Sequence, residues 1–188
     1  MKKNILTILL LTIFNLNAQE QLPYYEIPKM EENYTAQTTV ARMIDGLGFR
    51  YFWASEGLIT EDLNYQPAGK GRTSLATIQH IYDLSTTMLR ITNTDFKQSK
   101  EKDEMSFSEM RKQTLLNFES LRNKILSTKD SKELSVKKDD EVTIPFFYMI
   151  NGPIADAIWH TGQISSFRRS SGNPINPKVN HFSGTVRE

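Results

Sequence analysis

Four stretches in which apolar residues recur at intervals of three and four constrain this 188-residue chain to a helical fold. The first covers 35–58, with Val40, Met43, Ile44, Leu47, Tyr51 and Ala54 on one strip. The second is capped by Thr73 or Ser74 and carries Leu75, Ile78, Ile81, Tyr82, Leu84, Met88, Leu89 and Ile91. Ser106 or Ser108 opens the third, with Met110, Leu115, Phe118, Leu121, Ile125 and Leu126 facing inward. The fourth follows Ile144-Pro145, runs to Ser170, and is stopped by Gly172-Asn173-Pro174. Each strip must be buried against another element, and four such strips predict an all-α, up-down four-helix bundle.

The connections are polar. Pro67, Gly69 and Gly71 mark 60–72 as a loop, 97–105 is a charged linker, and 128–143 reads as a solvated loop or short exposed hairpin. Pro153 removes a backbone donor early in the fourth helix, so its first turns are expected to be kinked or separate. Gly46, Gly48 and Gly57 weaken the first helix by up to about 1 kcal/mol each relative to alanine, and close approach of another helix at Gly46 or Gly48 would explain them. Residues 19–33, with two prolines, form a lead-in; 34–174 are the helical domain; 175–188 are an extended tail.

Residues 1–18 read as a signal peptide for export to the periplasm or outside. Lys2 and Lys3 precede an apolar run, 5–16, too short to span a bilayer, and Ala18 offers a small residue before a cut. A retained membrane anchor is the alternative. Losing the two lysines takes the formal charge from +1 to −1, so nothing electrostatic points to nucleic acid as a partner, and no membrane span is expected in the mature chain. There is no cysteine: any metal must be held by nitrogen and oxygen, and stability must come from core packing.

The chemistry concentrates in the second and fourth helices. Asp156 and His160 are four residues apart, so they emerge one turn apart on the same helical face and can grip one ion. His80 lies inside the second helix, and His80, Asp156 and His160 together form a candidate metal site across two helices. Two imidazoles and a carboxylate leave coordination positions open; zinc, nickel, iron and manganese all fit. Asp156 stands among Ile154, Ala155, Ala157 and Ile158, where a buried carboxylate needs a cation, a histidine or several donors. Asp83 and Gln163, one turn from His80 and His160, are candidates to orient the imidazoles. Arg168 and Arg169 are read as surface residues at a helix C-terminus, with an anionic substrate as the alternative, and His181 as a surface residue of the tail.

The second helix, Ser74-Leu-Ala-Thr-Ile-Gln-His80-Ile, and the last, His160-Thr-Gly162-Gln163-Ile followed by Arg168-Arg169-Ser-Ser-Gly172-Asn-Pro174, resemble the DinB/YfiT-like metalloenzymes over about 35–174. The resemblance implies a divalent ion held by one histidine of the second helix and two of the last; His80 and His160 match, while Asp156 replaces the other histidine. It also implies a homodimer, and the rings Phe49, Tyr51, Phe52 and Trp53 of the first helix offer it apolar area. The implied function is an exported metal-dependent transferase or hydrolase that activates a small-molecule thiol or water. A non-catalytic binding or stress-response module is the alternative.

Overall fold

The computed structural model describes residues 21–98, 100–138 and 141–188; the expected signal peptide, 1–18, lies outside them. The chain is mostly helical. Helix α1, Ala36–Ser55, begins at Thr35, whose hydroxyl accepts from the Thr38 amide while Thr38 accepts from the Thr35 amide. The 60–72 loop contains a five-residue helix, α2, Thr60–Asn64, too short for an apolar period to betray it. Thr73 caps α3, Ser74–Ile91, and Ser106 caps α4, Phe107–Ser127, through a box with Glu109. The charged segment after α4 forms a tight turn over Ser131–Leu134 and an antiparallel hairpin of β1, Val136–Lys138, and β2, Glu141–Ile144.

The fourth predicted helix is divided where Pro153 requires. Helix α5, Phe146–Met149, passes into a π turn, Ile150–Ile154, and then into α6, Ala155–Ser170. Gly172 ends α6 with φ +97°: its amide and that of Asn173 donate to the carbonyls of Arg169 and Arg168, the bonding pattern of a Schellman cap. The tail is not merely extended, since β3, Val179–Asn180, pairs antiparallel with β4, Thr185–Val186.

Helices α1 and α3 each pack on both α4 and α6, closing around a core that includes Ile44, Leu47, Tyr51, Ile78, Ile81, Leu115, Phe118 and Ile164. Asn117 donates to Ser85 across the α3–α4 seam at 2.9 Å, so the buried amide is paired. No helix among the described residues is long and apolar enough to cross a membrane.

Three expectations are corrected. Gly48 is tight against the lead-in rather than another helix: a Cβ there would lie 2.5 Å from the ring of Tyr24. The rings of Phe49, Tyr51, Phe52 and Trp53 are buried within the chain, so they leave no apolar area for a second copy. Tyr25 packs against Phe52 and Trp53 at 5.8 and 5.1 Å, the Trp53 indole donates to the Tyr25 carbonyl, and the tail is tied to the lead-in by the bond from the Ile27 amide to the Gly184 carbonyl. Arg168 is not a surface residue. It is 4% exposed and reaches from α6 to the carbonyls of Trp53 and Ala54 at 2.7 and 3.2 Å. Arg111 of α4 bonds the Phe52 carbonyl, Ser55 and Glu56 beside them. Helix α1 has no basic residue in its own last turn, so two other helices supply the cations that its terminal carbonyls need. Arg169 is exposed.

Candidate metal centre

The π turn delivers α6 so that Asp156 and His160 face α3, where His80 lies on the adjoining strip. One oxygen of Asp156, Oδ2, is 3.1 Å from His80 Nε2, and the other, Oδ1, is 3.2 Å from His160 Nε2. The two imidazoles meet edge to face with centroids 4.7 Å apart. One ligand atom from each residue lies within 4.8 Å of the others. Metal–nitrogen and metal–oxygen bonds of about 2.0–2.2 Å in a tetrahedral shell put neighbouring ligands about 3.3 Å apart, so both nitrogen–oxygen separations suit one shared ion.

Proton accounting sharpens the fit. His160 Nδ1 lies 2.8 Å from Gln163 Oε1, an acceptor, so this nitrogen carries the proton of the neutral ring. Nε2 then holds a lone pair and faces a carboxylate oxygen. Two acceptors 3.2 Å apart require a positive charge between or beside them, which a proton, a metal ion or a neighbouring guanidinium can supply. Gln163 therefore stands where an orienting partner of His160 is expected.

Asp83 does not. It pairs with Lys102 Nζ at 2.9 Å, away from the imidazoles, because the charged linker folds a turn over Lys102–Glu104 beside α3. Asp156 is also more open than its apolar neighbours suggest: its side chain is 42% exposed, with His80 at 28% and His160 at 13%. Ile154 and Ala157 point into the core, but Ala155 and Ile158 face outward. The group thus lies at the edge of the helix packing, accessible from solvent. His181 stands apart from it in the tail, edge-on to Phe49 at 5.9 Å; partial burial, helped by nearby Arg50, lowers its pKa.

Sequence reasoning missed Arg72. Its Nη1 lies 3.4 Å from His160 Nε2, bridging 88 positions of sequence. The available signal was a basic residue beside the cap of the histidine-bearing helix, at the end of a glycine-rich loop. Compared with protein-family models, curated proteins and solved structures, the chain matches none of them.

Proposed function

We propose that this chain is a divalent-metal-binding protein of the DinB/YfiT-like type, an up-down four-helix bundle that serves as a metal-dependent transferase or hydrolase. The observation that carries the proposal is the Asp156 carboxylate, which offers one oxygen to each of two imidazole nitrogens from different helices. A divalent ion held by His80, Asp156 and His160 would supply Lewis-acid activation of a thiol or a water.

The protein's own groups supply the rest. Gln163 holds Nδ1–H of His160 and so turns the Nε2 lone pair towards the site. The α3–α6 packing fixes the spacing between His80 and the α6 pair. Three protein ligands leave room for a substrate, and the half-exposed carboxylate marks the side from which one enters.

A second reading, a non-catalytic binding module, draws on the same contacts: His80 could donate its proton to Asp156 and the group would satisfy itself. Metal content after purification without a chelating tag separates them. About one equivalent of zinc, nickel, iron or manganese per chain is expected; no metal, even after reloading, would favour the module. The proposal also takes 1–18 as a signal peptide, so the exported protein's intact mass should lack it, and a retained Met1 would contradict export with cleavage.

A further inference from the structure

Arg111, Arg122 and Arg168 are committed to the fold, the first through Glu56 and Ser55, the second through Asp45 and Glu31, the third through the α1 carbonyls. Arg72 is exposed, and its one hydrogen-bond partner among the described residues is His160 Nε2. Its backbone is nevertheless well placed. The Ser74 amide donates to the Tyr65 carbonyl at 2.9 Å, Gln66 donates to the Gly71 carbonyl at 2.5 Å, and the Tyr65 ring packs 5.8 Å from Phe167 of α6. A Cβ on Gly71 would meet Pro67 at 2.9 Å, so the loop is folded tightly on itself just before Arg72.

The nitrogen that Arg72 touches is the one a metal ion would need. One lone pair cannot serve both, so loading the site releases the guanidinium and leaves it close to a second positive charge. Two cations so placed repel unless an anion lies between them. Asp156 already serves two imidazoles, so an anion carried by a substrate and placed between the two cations would relieve that repulsion. A planar guanidinium presents paired donors that match a carboxylate.

We infer that Arg72 binds the carboxylate of a small anionic substrate at the mouth of the site, which narrows the substrate class of the metal-dependent reading on which this inference rests. The test is calorimetric titration of the zinc-loaded full chain with mercaptoacetate and with the uncharged 2-mercaptoethanol, in the wild type and in Arg72→Gln. The wild type should bind mercaptoacetate about tenfold or more tightly than 2-mercaptoethanol. Arg72→Gln should lose about tenfold or more for mercaptoacetate. Its affinity for 2-mercaptoethanol should not change, and its zinc affinity should be equal or higher because the competitor for Nε2 is gone. A mercaptoacetate preference undiminished in Arg72→Gln would trace it to chelation by the ligand alone and overturn the inference. Equal affinity for the two thiols in the wild type would overturn it as well. Zinc that fails to bind the wild type would instead identify the metal reading as the failed premise.

Discussion

Replacing Arg168 by methionine keeps the aliphatic stem and removes the guanidinium. Four hydrogen bonds disappear: Nη1 to the carbonyls of Trp53 and Ala54, Nε to the Asn173 carbonyl, and Nη2 to Asn173 Oδ1. A buried acceptor left without a donor costs about 1–3 kcal/mol. The two α1 carbonyls are the buried pair, so the gross loss is about 2–6 kcal/mol. Relief of the guanidinium's own desolvation, which lowers its pKa in the folded chain, offsets part of it. A net loss of about 2–4 kcal/mol is expected, which for a chain of this size lowers Tm by roughly 5–15 °C. Urea unfolding followed by circular dichroism would measure the first quantity and a thermal scan the second. Zinc affinity should be unchanged, because Arg168 is tied to the α1 end and the α6 cap. A loss below about 1 kcal/mol would refute the claim that α1 borrows its C-terminal cations from other helices.

Asp62 joins α2 to the end of α6, accepting from Ser171, Asn173 and the Ile59 amide at 2.5, 2.6 and 3.0 Å. Burial by itself would raise its pKa, but these donors outweigh it and hold the carboxyl below 3.8. Its contribution is therefore present above the ordinary carboxylate range and is lost as pH falls through the lowered folded value. Asp62→Asn should cost about 1–3 kcal/mol at pH 7 in urea titrations. The gap to wild type should close in acid, below about pH 3.8. Gly48→Ala should destabilise by about 1–3 kcal/mol in the same assay, because its Cβ enters the Tyr24 ring. Asp156→His should keep or strengthen zinc or nickel binding in calorimetry, while His181→Ala, outside the centre, should leave it unchanged.

The helix starts were legible because a capping hydroxyl is local: Thr73 and Ser106 bond amides three residues on, and sequence alone displays both partners. Pro153 and Gly172 were legible for the same reason, each acting on its own backbone. The triad was legible through one local spacing, Asp156 to His160, together with the scarcity of histidine. What failed was long-range. Gly48 receives Tyr24 rather than a helix, and Arg168 reaches a helix that ends more than a hundred positions earlier in the sequence. Asp83 pairs with Lys102 because the turn after α3 brings that lysine back beside it, a return that helical spacing does not encode. Arg72 meets His160 because Tyr65 packs on Phe167, a contact that no periodicity encodes.

The most direct test is zinc titration of the wild type beside His80→Ala, Asp156→Ala and His160→Ala. One ion per wild-type chain is expected, with each substitution weakening binding about tenfold or more and with affinity falling as pH is lowered, because imidazole coordinates a metal only when neutral. Absence of zinc binding in the wild type, or affinity unchanged in all three variants, would contradict a metal centre at the α3–α6 seam.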